Sequence, residues 1–182
     1  IIYTSSSAVY GLSENLNNQK KDQYNRELYS SFKLTAEKII MNYANKKNKN
    51  FYVMRLFNTY GNKEDSFSFI EKILRAKREN TKITLINDGL SLRDFIHLDD
   101  IAKIYNIFLK KQFKKGIYDL GSGKGFLIKD LVKVSKISEK KIIRINKIEE
   151  IKNSIANTKN LFAQIGKFDF KNLNDYIKNQ LN

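Results

Sequence analysis

Ile1-Ile2-Tyr3-Thr4-Ser5-Ser6-Ser7-Ala8-Val9-Tyr10-Gly11 opens the chain. Four β-favouring residues run into three serines and then a glycine, the pattern of a short buried strand that ends in a polar loop. Residues 12–27 are polar and without period, and they read as loop. From Tyr29 to about Lys47, apolar side chains recur at Phe32, Ala36, Ile39, Ile40 and Tyr43, which is helical spacing. A second buried strand follows at 51–57, interrupted by Arg55 near its end. The alternation continues with a helix at about 67–78, a strand at 83–86 and a turn at Asp88-Gly89. A helix from Asp99, which offers a cap, to about Lys110 leads to a strand at 117–120 and a helix at 127–134. A short strand near Ile142 and two weak helices around Leu161 and Leu173 complete the chain. Strands alternating with helices specify an α/β protein with a mainly parallel sheet.

Composition bounds the function. The 182 residues are 41% hydrophobic, enough for a real core, so global disorder is excluded. There is no cysteine and one histidine, His97, which removes disulfides, thiol nucleophiles and His- or Cys-rich metal sites. No apolar run approaches the ~18 residues of a membrane span, and no signal peptide can be read. A cytoplasmic, metal-independent protein that engages no membrane is the expectation. The net charge of +15 raises the question of nucleic acid. Yet 28 lysines outnumber 6 arginines, the residue suited to bidentate recognition, and no aromatic–basic platform accompanies them. Residues 101–150 alone carry +8. The charge reads as a lysine-rich solvated surface that favours anionic small molecules rather than nucleic acid.

Tyr29-x-x-x-Lys33 places a phenol and an ammonium on one helix face. With 10 tyrosines and 28 lysines, about 1.5 such pairs are expected by chance, and two occur, the other being Tyr43/Lys47. Spacing alone decides nothing; position does. Tyr29 opens its helix after the strand that ends in the serine loop, and reactive groups of open α/β sheets gather outside the carboxyl ends of strands. Tyr43 comes late in a lysine- and asparagine-rich stretch.

Five segments in order now carry a resemblance. They are Ser6-Ser7-Ala8-Val9-Tyr10-Gly11, then Tyr29-Ser30-Ser31-Phe32-Lys33 with Glu37, then Arg55-Leu56-Phe57-Asn58-Thr59-Tyr60-Gly61. Arg93-Asp94-Phe95-Ile96-His97-Leu98-Asp99-Asp100 and Tyr118-Asp119-Leu120-Gly121-Ser122-Gly123 follow. Over roughly residues 1–166 the chain resembles the extended short-chain dehydrogenase/reductases, the nucleotide-sugar epimerase/dehydratase family. It is nearest in motif to the UDP-glucose 4-epimerase-like members.

The resemblance implies roles. Tyr29 is similar to the catalytic base, and Lys33 to the residue that assists it and holds the nicotinamide ribose. Ser6 falls at the family's substrate-binding Ser/Thr, and Ser5 beside it is implied to contact the cofactor. Asn58 and Arg93 match positions that hold the diphosphate of the sugar donor. Lys147 stands where many members have a second phosphate-binding Arg, and lysine does not reproduce a bidentate fork. Asn62 occupies a place where the family commonly has Pro. The implied cofactor is NAD, with NADP as the alternative, and the implied partners are a nucleotide-diphosphate sugar and a second copy in a homodimer. The implied setting is nucleotide-sugar metabolism that feeds polysaccharide synthesis. Family dehydratases carry an Asp-Glu pair after the Ser/Thr; here Ser7 and Ala8 stand there, so epimerisation through a 4-keto sugar is preferred to dehydration or plain reduction.

The resemblance also implies a layout. Residues 1–61 correspond to the second half of an NAD-binding Rossmann domain whose glycine-rich first half is absent. Residues 62–182 correspond mainly to a smaller α/β sugar-nucleotide-binding domain, with about 95–111 returning to the Rossmann part. Gly121-x-Gly123-x-Gly125 reads as a tight turn rather than a dinucleotide loop, and His97 as a structural residue. The expected protein is thus the C-terminal portion of an epimerase. The alternatives are a non-catalytic sugar-nucleotide-binding remnant or a basic nucleic-acid binder.

Overall fold

The computed structural model describes residues 1–11, 28–62, 67–147 and 150–181; the loop expected at 12–27 lies outside them. β1 (Ile2–Ser6) runs into a 3-10 turn at Ser7–Tyr10, and α1 spans Leu28–Lys46. β2 (Tyr52–Leu56) and β3 (Asn58–Tyr60) precede α2 (Phe69–Arg78). β4 (Ile83–Ile86), β5 (Leu92–Arg93) and β6 (Phe95–His97) lead to α3 (Leu98–Lys110). β7 (Gly116–Leu120), β8 (Phe126–Leu127) and α4 (Ile128–Val134) follow, then β9 (Ile142–Ile145), β10 (Asn153–Ser154), α5 (Lys159–Ile165) and α6 (Leu173–Leu181).

β2 lies between β1 and β7, and all three run parallel. Ser6 is level with Leu56, and Leu56 with Leu120, so the three strands end together. The serine turn, Asn58 and the Gly121–Gly123 turn therefore leave from one rim of the sheet. Among the described residues nothing pairs with the outer edge of β1. The remaining ladders are short: β3 with β6, β4 with β9, and β10-β5-β8, of which only β5–β8 is antiparallel.

Both faces of β2 are covered, as a parallel sheet requires. Met54 packs with Ile104 and Phe108 of α3 and Leu161 of α5 on one side. Val53 packs with Ala44 of α1 on the other. A separate core joins Ile70, Ile73 and Leu74 of α2 to Leu85, Leu131 and the α6 residues Leu173 and Ile177. α1 is inverted relative to a simple amphipathic helix. It buries Ser30, Glu37 and Ala44, seven residues apart, and turns Leu28, Phe32, Ile39 and Tyr43 to solvent.

The cap of α3 differs from the sequence expectation. His97, not Asp99, caps the helix: its Nδ1 accepts from the Asp99 N–H at 3.0 Å. The Asp99 carboxylate instead binds Lys171 Nζ at 2.5 Å. Gly61 leaves room for the imidazole, because a Cβ there would stand 2.7 Å from His97 Nε2. An accepting Nδ1 requires a neutral ring or the loss of the cap. Burial, followed by nearby Lys171, pushes His97 below its ordinary value of 6.5, with Asp99 and Asp100 opposing. Over the interval between the depressed folded value and 6.5 the unfolded chain binds more protons, so stability rises with pH there. The expected result is a fall in urea midpoint as pH drops from 7 through this interval. His97→Asn, which caps without titrating, should flatten that slope; an unchanged slope would assign the pH dependence to other groups.

Candidate active site

The rim formed by the ends of β1, β2 and β7 is built on a buried polar chain. Glu37 of α1 and Arg55 of β2 form a two-point ion pair, with Nε–Oε1 at 3.0 Å and Nη2–Oε2 at 2.7 Å. Ser5 Oγ donates to the same Glu37 carboxylate. The Arg55 guanidinium stacks 4.6 Å above the Tyr10 ring. Tyr10 in turn donates its hydroxyl to Asp119 Oδ1 at 2.5 Å, and the Asn157 N–H binds Asp119 Oδ2 at 3.0 Å. Ser5, Glu37, Arg55 and Asp119 are all buried. Burial works most strongly against the Arg55 charge, but the bond to Glu37, the Glu37 charge and Tyr10 together outweigh it and raise its pKa. Burial, reinforced by Asp119, pushes the Tyr10 phenol up, so it stays protonated. Burial also raises Asp119, against the bonds from Tyr10 and Asn157.

This chain fixes α1 against the rim and so places Tyr29 and Lys33, two turns and one turn before Glu37. Tyr29 is 54% exposed on the first turn of α1. Lys33 Nζ donates to the Thr4 carbonyl at 2.8 Å and lies 5.2 Å from the Tyr3 ring centroid and 5.8 Å from that of Tyr29. Ser6 Oγ accepts the Ala8 N–H at 3.2 Å, which leaves its own O–H free to donate outward. Tyr43 lies exposed farther along α1, and Lys47 beyond its end.

A second feature adjoins the rim. A cavity of about 580 Å³ is lined by Asn58, by Phe69, Lys72 and Arg75 of α2, and by Arg93 and Glu150 among others. The structure thus brings Asn58 and Arg93 to one cavity. Arg93 Nη1 donates to the Leu92 carbonyl at 2.9 Å, and Nη2 lies 3.4 Å from Glu150 Oε1. Burial lowers the Arg93 pKa, and Glu150 opposes that shift. Lys147 lies apart from these linings. Asn87 grips its backbone on both sides, accepting its N–H and donating to its carbonyl at 2.8 Å each, while its side chain is exposed.

Asp94 connects the two features. Fully buried, it accepts from Ser122 N and Oγ, Gly123 N and Ala156 N, and its carbonyl accepts Asn58 Nδ2 at 2.8 Å. Burial raises its pKa, and the bonds from Ser122, Ala156 and Gly123 pull against that. Gly121 is obligatory here: a Cβ would stand 2.6 Å from both Asp94 Oδ2 and Ala156 Cβ. The glycine run is therefore a turn wrapped around a carboxylate. Ser5 faces inward to Glu37, and its hydroxyl is committed there. The sequence reading assigned no role to Glu37, Arg55, Tyr10, Asp119 or Glu150. Polar residues within apolar strand and helix segments were the available signal. Among the described residues there is no group of three or more His, Cys, Asp or Glu that could hold a metal, and no helix is long and apolar enough to cross a membrane.

A sequence model of the NAD dependent epimerase/dehydratase family matches residues 1–121. The ADP-L-glycero-D-manno-heptose-6-epimerase of Brachyspira hyodysenteriae is 29% identical over 147 residues, 75% of this chain and 45% of that protein. Among solved structures, the UDP-N-acetylglucosamine 4-epimerase of Methanobrevibacter ruminantium M1, in complex with UDP-N-acetylmuramic acid, is 26% identical with a TM-score of 0.77, covering 99% of this chain and 59% of that one. The dTDP-glucose 4,6-dehydratase of Bacillus anthracis in complex with NAD has a TM-score of 0.83 at 19% identity, covering 99% and 60%. The fold is thus the Rossmann-type α/β architecture, and the chain spans about half the length of the curated relatives it matches.

Removing one partner from a buried ion pair leaves an uncompensated charge, at a cost of about 3–5 kcal/mol. Glu37→Gln should lower stability by that order in urea denaturation, and Glu37→Leu combined with Arg55→Leu should restore most of it. A Glu37→Gln variant as stable as the parent would deny the pair its anchoring role.

Proposed function

Because the chain belongs to the NAD dependent epimerase/dehydratase family, we propose that it carries the catalytic and sugar-nucleotide-binding part of a nucleotide-sugar epimerase. The observation that carries this reading is the placement of Tyr29, Lys33 and Ser6 on the same sheet rim from which Asn58 leads into the Arg93 cavity. Residues 1–61 form the second half of the dinucleotide-binding domain. Residues 62–182 form mainly the sugar-nucleotide domain, with about 95–111 returning to the first. We place the rest of the dinucleotide sheet along the open edge of β1, which no described strand covers.

The donor set fits the nicotinamide-ribose end of NAD, with NADP as the alternative. Lys33 spends one N–H on Thr4 and keeps two for ribose hydroxyls. Bound there, NAD supplies a reversible acceptor for hydride from a sugar carbon. The chain's own residues do the rest. Tyr29 takes the proton of the sugar hydroxyl and later returns it. Ser6, with its O–H free, holds that oxygen. Asn58 and Arg93 hold the diphosphate, with Arg93 exchanging Glu150 for phosphate oxygens. Ser7 and Ala8 offer no acid or base to expel water, which favours epimerisation over dehydration. The exposed row Leu28, Phe32, Ile39 and Tyr43 on α1 supports a homodimer. A cytoplasmic setting accords with a nucleotide-sugar substrate.

Losing a general base costs typically 10²–10⁴-fold. Turnover of a UDP-hexose with NAD supplied should fall by at least ~10²-fold in Tyr29→Phe and stay unchanged in Tyr43→Phe. Equal rates in the two variants would remove Tyr29 from the chemistry. Independently, Arg93→Ala should weaken UDP binding by ~1.5–3 kcal/mol, the range for hydrogen bonds to charged groups, with melting nearly unchanged. Unaltered UDP affinity with an earlier melt would make Arg93 structural.

A further inference from the structure

Resting on the reading of this cavity as a sugar-nucleotide site, we propose that Arg75 and Lys72 of α2, and not Lys147, supply the second cationic arm that holds the diphosphate.

Three observations carry it. First, Phe69, Lys72 and Arg75 follow one another at three-residue steps on α2 and all line the cavity, whereas Ile70, Ile73 and Leu74 between them are buried in the core. The apolar residues thereby set which face of α2 looks into the cavity. Second, the charge inside the cavity is distributed unequally. Arg93 is paired with Glu150, so these two together present no net charge to a ligand. The surplus lies on Lys72, Arg75 and Lys82, which also line the wall, and among the described residues no acidic group pairs with Lys72 or Arg75. A diphosphate carries more negative charge than Arg93 alone neutralises, and unpaired cations in a concave site favour such an anion. Third, Lys147 is held elsewhere. Asn87 fixes its backbone, its side chain is exposed, and Lys147 is not part of the cavity lining, to which Glu150 contributes.

The chemistry distinguishes the two α2 residues. The guanidinium of Arg75 offers a planar fork that matches two phosphate oxygens, and Lys72 adds a point charge one turn earlier. The ligand class is a nucleoside diphosphate held jointly by Arg93 and Asn58 and by Arg75 and Lys72 of α2.

The test is calorimetric titration of the 182-residue chain with UDP and, separately, with inorganic pyrophosphate, each at low and high salt. Arg75→Ala should weaken both ligands about tenfold, the size of one charge-assisted hydrogen bond, and should flatten the salt dependence. Lys72→Ala should act in the same direction by a smaller factor, Arg75→Lys should recover part of the loss, and Lys147→Ala should stay within about twofold of the parent. The proposal is overturned if Lys147→Ala costs as much as Arg75→Ala, or if the Arg75 and Lys72 variants bind as the parent does. It is equally overturned if Arg75→Ala weakens UDP but leaves pyrophosphate unchanged, which would place Arg75 on the nucleoside. The underlying reading fails separately: a parent chain that binds neither ligand, or an Arg93→Ala variant with unaltered UDP affinity, removes the diphosphate from this cavity altogether.

Discussion

The ion pair between Glu37 and Arg55 is the constraint on which the site depends. Each group alone would be too costly to bury, and together they are placed where the helix that carries Tyr29 and Lys33 meets the central strand. The pair has no slack. Its two bonds fix the rotation and height of α1 against β2, Ser5 adds the edge strand, and the stacked Tyr10 brings in the turn that follows Ser6. Asp119 continues the chain to β7 and its bond from Asn157 reaches the segment before α5. Every strand of the main sheet is thus tied to one polar line just beneath its rim. A hydrophobic core tolerates small shifts of register or rotation, whereas hydrogen-bond geometry does not. Groups that must meet a hydroxyl within a few tenths of an ångström gain from the second kind of anchor.

Asp94 performs a related task at the next level. The short strands β3, β5 and β6 are too brief to define orientation by ladder alone. A buried carboxylate that takes bonds from the Gly121–Gly123 turn and from Ala156, with its own carbonyl on Asn58, sets their mutual position instead. The cavity wall bearing Arg93 and the rim bearing Ser6 are related through this one residue. That accounts for the glycine at position 121, where any side chain would collide with the carboxylate it encloses.

Period and residue type made the long elements legible. α1, α3, β2, β4 and β7 lie within a residue or two of their expected bounds. The two- and three-residue ladders escaped, because so short a segment carries no period. α1 is the instructive case. Its apolar repeat at Phe32, Ala36, Ile39, Ile40 and Tyr43 identified a helix, yet Phe32, Ile39 and Tyr43 face outward, Ala36 and Ile40 are half-buried, and the buried face is Ser30, Glu37 and Ala44. A helix docked through a polar pair inverts the usual inference from amphipathicity, and nothing in α1 alone reveals that its partner charge sits eighteen residues away on a strand. Tyr29, Lys33, Asn58 and Arg93 stood out in the sequence because motifs carry them. Lys72, Arg75 and Glu150 did not, because a cavity is a property of tertiary structure.

The same distinction settles what the +15 charge does. Most of the lysines are solvated, and at physiological salt their separate fields decay within about 8 Å. Charge acts strongly only where low-dielectric walls confine it. The rim and the Arg93 cavity are two such places, and they differ in sign logic. Along the rim the cation Arg55 is neutralised by Glu37 and shielded by Tyr10, so its charge is spent on architecture. In the cavity the pairing is incomplete: one carboxylate faces Arg93, while Lys72 and Arg75 of α2 and Lys82, just before β4, find no acidic partner among the described residues. A folded chain leaves charge unmatched in a concave site at some cost to its own stability, and an anionic ligand is what offsets it. The composition that looks like a generic basic surface thus acquires its chemical meaning from three or four positions. The apolar face of α2, by deciding which of its charges look inward, selects them.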